Sequence, residues 1–291
     1  MTDRSGAQGL LTPPRGAPPP RPPGGGLLLR ILPTGLYAGR ARVLVERSLV
    51  VYRQAWMTIL SGFFEPLFYL IALGSGLGAM VGGAITGPDG QQLSYAAFIA
   101  PGLLAASAMN GAIYDATFNI FFKFKYAKLY DAMLATPLGP VDVALGEIGW
   151  ALLRGGMYAA GFLAVMLGLG LITSAWALLA LPVALLVGFA FAATGMAAAT
   201  YMRSWQDFDL IQLVVLPMFL FSTTFFPLSV YPPAVRLAVE CFPLYHAIEL
   251  MRSLTSGAVG WGLLGHLAYF AVMAAVGVVV ASRRLATLLL R

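Results

Sequence analysis

The sequence predicts an all-α polytopic membrane protein: six transmembrane helices, an N-terminal amphipathic interfacial helix, and short re-entrant outer helices between spans five and six. Three observations lead there. Only 10% of the 291 residues are charged while 59% are hydrophobic, and mean hydropathy is +0.81, whereas a soluble domain carries about 25% charged residues. Six stretches approach the roughly 20 apolar residues that a span requires. The basic residues concentrate in alternate connections, on one side of those stretches, as the retention of Lys and Arg on the cytoplasmic side demands.

In chain order, residues 1–35 differ from the rest. Thr12 to Gly26 reads TPPRGAPPPRPPGGG, which cannot bury an apolar face, so a disordered or polyproline-like cytoplasmic tail is expected. A PxxP ligand is the alternative. The segment has no apolar core followed by a small-residue cleavage site, so it does not read as a signal peptide. Residues 36–291 form the predicted six-span domain. Tyr37 to Trp56 mixes Arg40, Arg42, Arg47 and Arg53 with Leu, Val and Tyr and reads as a helix lying in the cytoplasmic interface.

The predicted spans are Thr58 to Ala79, Ala97 to Phe121, Gly155 to Thr173, Trp176 to Tyr201, Leu210 to Phe226, and Trp261 to Ala281. Apart from Arg154, at the edge of the third span, and Arg236 and Arg252, every Lys and Arg falls on one side. Both termini are therefore predicted to be cytoplasmic, and a nucleic-acid-binding patch would not alternate in this way. Pro227 to Gly257 holds two apolar pieces too short to span, divided by Pro243, which suggests interfacial or re-entrant helices on the outer side.

Within the spans, Glu65 is followed by Pro66. A charge in a span is costly and suggests function, and the proline removes a helical hydrogen bond. Two readings stay open: a pathway residue, or a boundary charge reached by water or by a basic neighbour such as Arg154. Gly74, Gly78 and Gly82 form a small-residue ridge for packing within the chain or across a dimer. Asn110 and Asp115 lie in the second span, Asp115 close enough to Lys123 to mark its inner boundary. In the connection from Lys123 to Glu147, Lys125 to Ala135 can form a short helix before Pro137 and Pro140 force a turn. It is either an interfacial helix anchored by lysines and tyrosines or a docking helix for a cytoplasmic partner.

Chemistry in the chain itself is sparse. One cysteine, Cys241, and two histidines exclude an intrachain disulfide and leave little for a metal. A phosphate loop, HExxH and GxSxG are absent, so no catalytic or metal site is expected.

Four stretches resemble a known family. They are Glu65-Pro66-Leu67-Phe68-Tyr69-Leu70 leading into Gly74-Ser75-Gly76-Leu77-Gly78; Tyr95 to Gly102 (YAAFIAPG); Tyr130 to Leu138 (YDAMLATPL); and Phe225-Phe226-Pro227-Leu228 with Phe242 to Arg252 (FPLYHAIELMR). The pattern, over about Arg40 to Arg291, resembles the permease subunit of type-2 ABC exporters, most nearly the nodulation lipo-oligosaccharide exporter branch. The Pro-rich tail has no counterpart in it.

The resemblance implies a homodimer of permeases, or a pair with a related permease, working with two copies of a separate ATPase subunit that binds ATP and Mg. It implies an ATPase-coupling helix formed by Lys125, Lys128, Tyr130, Asp131, Leu134, Thr136 and Pro137. It places a translocation path along the first and fifth spans, with Glu65, Pro66, Phe68, Tyr69, Phe221 and Phe225 as path residues. Phe63, Phe64 and Phe219 are further aromatic candidates, although aromatic residues in spans more often anchor or pack. An outer re-entrant region containing Pro227, Pro243, Tyr245, His246, Glu249 and Arg252 would cap the exit. The implied cargo is an amphiphile: a lipo-oligosaccharide, a glycolipid or a polysaccharide-linked lipid. A drug or antibiotic efflux permease of the same architecture, a lipid-modifying membrane enzyme and a scaffold or insertion factor are the competing readings.

Overall fold

The computed structural model describes residues 40–53, 56–81, 85–86, 92–127 and 129–289, and within these the side chains of 51–53, 56–63, 81, 86, 131, 134, 140 and 289 are left aside. The predicted tail, Gly82 of the glycine ridge and Lys128 fall outside the described residues.

The described residues are almost all helical. In order come α1 (Ala41–Arg53), α2 (Trp56–Val81), a two-residue antiparallel pairing of β1 (Ile85–Thr86) with β2 (Gln92–Leu93), α3 (Tyr95–Tyr114), a π turn (Asp115–Asn119), α4 (Ile120–Lys125) and α5 (Leu129–Leu134). Then follow α6 (Pro140–Gly168), a 3₁₀ turn (Ala175–Leu179), α7 (Ala180–Ala199), α8 (Asp207–Phe221), a 3₁₀ turn (Leu228–Val230), α9 (Pro233–Glu240), α10 (Pro243–Ser256) and α11 (Gly262–Leu289).

Among the described residues, four helical stretches are long and apolar enough to cross a membrane: Tyr95–Lys125, Val141–Gly168, Ala175–Ala199 and Gly262–Leu288. A shorter apolar stretch, Phe64–Met80, lies in α2. The predicted fifth span differs from expectation. Its helix, α8, begins at Asp207, whose carboxylate fastens the preceding turn by accepting from the Arg203 and Ser204 amides, and stops at Phe221 after 15 residues. The predicted third span also differs. Its helix starts 15 residues before Gly155, at Pro140, because that proline fits the first helical turn and because Asp142 accepts from the Gly139 amide at 2.9 Å. Glu147 and Arg154 are therefore inside α6 instead of ahead of a span.

The core is built around the α3–α4 rod, which packs against α6, α7 and α10. Ser94 starts the rod by accepting from the Ala97 amide at 3.2 Å. Thirteen residues of α3 are buried, so this helix is the centre of the bundle and has no lipid-facing stripe. α7 supplies small residues, among them Gly188, Ala192, Ala193 and Gly195, and small residues let neighbouring backbones approach closely. A Cβ added at Gly277 of α11 would lie 2.8 Å from backbone atoms of Ala193 and Thr194. α1 forms where the amphipathic helix was expected. It rests on α6 through Leu44, which would be 2.6 Å from a Cβ at Gly146, and through the Arg40 amide, which donates to Asp142 at 2.9 Å. Two short helices, α9 and α10, occupy the region from Pro227 to Gly257 where short helices were predicted. Both begin at a proline, and α10 ends at Gly257 in the left-handed conformation (φ 93°).

Candidate functional site

A cavity of about 790 Å³ opens between α2, α3, the π turn, α6 and α8. The antiparallel run of these helices gives it two ends. At one end Tyr114 and Phe118 stack at 5.0 Å, and Phe118 meets Trp205 at 5.0 Å and Phe208 at 5.5 Å. At the other, Tyr69 meets Phe219 at 5.9 Å, and Phe219 meets Phe225 at 5.2 Å. Between the aromatic groups the wall carries Glu65, Ser107, Asn110, Arg154 and Gln212. Such a space offers ring faces and apolar surface to a large ligand, with a few polar groups to orient it.

Four of the six path residues named from sequence, Glu65, Pro66, Tyr69 and Phe225, share this wall. Phe68 and Phe221 do not: Phe68 is 62% exposed and stacks on Phe64, and Phe221 is 47% exposed beside Tyr231. Arg154, considered as a partner for Glu65, bridges Asp115 (Nη2 to Oδ1, 2.5 Å), and Glu65 stands on the same cavity wall. Asp115, read from sequence as an inner boundary, is buried and also accepts from Asn119 Nδ2 at 2.6 Å. Sequence reasoning missed Tyr114, Phe118, Trp205, Phe208 and Gln212. Gln212 had a signal, being an amide within the apolar run after Asp209. The aromatic residues had none that separates a cavity wall from ordinary packing.

At the end of the bundle that holds α1, α5 is a single short helix whose Tyr130 is buried, 1% exposed, while Lys125, Thr136 and Pro137 stand on the surface. The Tyr130 phenol is held well above its usual range, first by burial and then by the neighbouring Glu147 carboxylate. Thr136 Oγ1 donates to the Met133 carbonyl, and the Pro137 carbonyl accepts from Arg40 Nη1 at 3.4 Å. Asp131 and Leu134 belong to α5, but their side chains lie outside the described set.

At the opposite end, Pro227 precedes the second 3₁₀ turn and Pro243 opens α10. Tyr245 and His246 pack edge to face, and His246 Nδ1 lies 2.7 Å from His266 Nδ1 of α11. Arg252 is buried, donates to Glu249 at 3.0 Å and to the Thr223 carbonyl at 2.8 Å, and lies 4.2 Å over the Phe98 ring. Thr223 has φ 63°, a strained conformation for a β-branched residue. It follows Ser222, the C-cap of α8, and its neighbour Thr224 would be 3.2 Å from a Cβ at Gly102 of α3. Arg252 thus fixes an irregular, buried turn that carries Phe225 to the cavity.

Comparison with known proteins gives one family and a consistent set of relatives. Residues 40–255 match the model of the ABC-2 type transporter family. Nodulation protein J of Rhizobium leguminosarum bv. trifolii is 36% identical over 214 residues, covering 73% of this chain and 79% of the relative. Nodulation protein J of Rhizobium leguminosarum bv. viciae is 34% identical over 209 residues (71% and 78%). The protein of the same name from Rhizobium meliloti is 34% identical over 223 residues (75% and 83%).

Proposed function

The chain belongs to the ABC-2 type transporter family, and from that premise we propose that it is the permease subunit of an ATP-driven exporter that moves an amphiphile outward across the plasma membrane. It is a multi-pass membrane component of a transporter, not an enzyme, and its family works with an ABC ATPase subunit. In this reading residues 36–291 cross the bilayer six times, with α2 and α8 as the first and fifth spans, and both termini are cytoplasmic, where the Arg and Lys residues concentrate. ATP and Mg are bound by the partner ATPase, present in two copies, and α5 with the flanking Lys125 to Pro137 is its docking element. The α9–α10 region, with Pro227, Pro243, Tyr245, His246, Glu249 and Arg252, caps the exit.

The observation that supports this best is the cavity between α2, α3 and α8. Its aromatic walls suit a chain or ring, and its amide and charged groups suit a polar head. The resemblance to the nodulation branch favours a lipo-oligosaccharide or glycolipid. A drug efflux permease is the second reading, supported by the same aromatic walls, which accept fused rings as well as acyl chains. α2 and α8 expose large apolar residues, including Phe68, Leu213 and Val214, and a second copy of the chain would cover them and complete the path.

The test is co-purification of the full chain with its ATPase, reconstitution in liposomes, and measurement of ATP-dependent movement of a fluorescent N-acylated oligosaccharide. ATP-dependent transport of that probe supports the leading reading. Transport of a polyaromatic dye but not of the acylated sugar favours the second. Probe movement by the chain alone, with no nucleotide-hydrolysing companion, would overturn both.

A further inference from the structure

Two ion pairs, one buried and one part-buried, join α6 to the α3–α4 rod, and their spacings do not match. On the rod, the partners are Asp115 and Lys123, eight residues apart. On α6 they are Arg154 and Glu147, seven apart. Each contact is 2.5 Å long. In regular α-helix, eight residues rotate about 80° beyond two full turns, and seven fall about 20° short of them. Two regular helices running antiparallel would therefore bring one pair together and turn the other aside.

The π turn, Asp115–Asn119, begins at the first rod partner and precedes the second. A π turn closes i→i+5 bonds and holds one residue more than an α turn. That extra residue removes about one residue's rotation, which is the mismatch just described. Asn119 Nδ2 donates to Asp115 Oδ1 inside the turn, so the same carboxylate fastens the turn and the outer pair.

The two pairs also end in different places. Glu147, in the inner pair, adjoins the buried Tyr130 of α5. Arg154, in the outer pair, is on the cavity wall, as are Thr117 and Phe118 of the π turn. We propose that Asp115, Lys123, Glu147 and Arg154 are positioning residues that carry displacement of the docking helix α5 to the cavity, with the π turn as the movable register between them. When α5 is displaced, the Lys123–Glu147 contact drags α4, the π turn passes its extra residue along the rod, and Phe118 changes its place on the cavity wall. This inference rests on the exporter reading above, and its test separates the two.

The experiment uses the full chain with its ATPase in liposomes and the same fluorescent N-acylated oligosaccharide. Lys123→Glu and Glu147→Lys alone should each lower transport per ATP hydrolysed by about ten-fold or more, with hydrolysis kept within about two-fold, and the double exchange should restore most of the ratio. A normal ratio in the single variants, or an exchange no better than they are, overturns the proposal. If the unaltered complex moves no probe, it is the exporter reading that fails. The ion-pair ladder is then judged on the isolated permease by a melting cycle with Lys123→Met and Glu147→Gln, repeated in Asp115→Asn. The coupling between positions 123 and 147 should fall by about half when the outer pair is removed, and an unchanged coupling overturns the ladder.

Discussion

At the scale of single residues, the cost of burying charge explains where the polar groups lie. Arg252 is 4% exposed in an otherwise apolar setting. A buried guanidinium is costly unless its donors find acceptors; Nη1 donates to Glu249, Nη2 to the Thr223 carbonyl, and the Phe98 ring lies against the plane, while Nε has no hydrogen-bond partner among the described residues. A lysine has no planar fork and cannot both lie on the ring and reach two acceptors. Arg252→Lys should therefore lower stability by about 2 kcal/mol, read as an earlier unfolding transition in detergent. Thr223 is the strained counterpart. Its left-handed backbone costs about 1–3 kcal/mol for a β-branched side chain, and among the described residues its buried hydroxyl has no hydrogen-bond partner. Thr223→Gly should raise the unfolding temperature, and a lower one would show that the threonine side chain holds the turn in a way that the contacts do not reveal.

At the scale of elements, small residues decide how closely the helices approach. α11 crosses α7 at Gly277, where a methyl group would meet backbone at 2.8 Å, while nothing lies within 4 Å of a Cβ at Gly265 in the same helix. Gly277→Ala should destabilise by about 1–3 kcal/mol through forced helix separation. Gly265→Ala should be neutral or stabilising by up to about 1 kcal/mol, from helix propensity alone. Thermal melts of the two variants side by side check this, since equal effects would mean that the crossing relaxes without cost. The glycine pattern was readable in the sequence, but the contact was not. The periodic Gly74 and Gly78 draw the eye, yet a Cβ there would meet Ala96 at 3.2 Å and Tyr95 at 3.7 Å, whereas one at the isolated Gly277 would meet another helix's backbone at 2.8 Å.

At the scale of the whole molecule, burial is unevenly shared. α3 is enclosed on most sides, while α8 has a single buried residue, Met218, and exposes Leu210, Leu213, Val214 and Leu216. In a bilayer such a face meets lipid or a second copy. The homodimer reading predicts that Leu213→Cys, placed in a Cys241→Ser background, cross-links between two copies in native membranes with a short bifunctional thiol reagent. Val272→Cys on α11, of similar exposure (62% against 69%), should not. Equal cross-linking at both positions would mean that α8 faces lipid.

The sequence by itself determined the class of the protein and most of its elements. Scarce charge, long apolar runs and segregated arginines fix a helical membrane protein, because lipid allows few other ways to satisfy a backbone. The amphipathic α1, the short α5 and the proline-headed α9 and α10 could be read locally, since their signals lie within a few residues. Only the tertiary structure decided that α6 starts at Pro140, that α8 stops before Ser222, and that Asp115 meets Arg154. The last two involve contacts across the chain, Thr223 with Arg252 29 residues on and Asp115 with Arg154 39 residues on, while Asp142 at the start of α6 accepts both from the local Gly139 amide and from the Arg40 amide 102 residues earlier; a contact across helices leaves no periodic trace in the residues that make it.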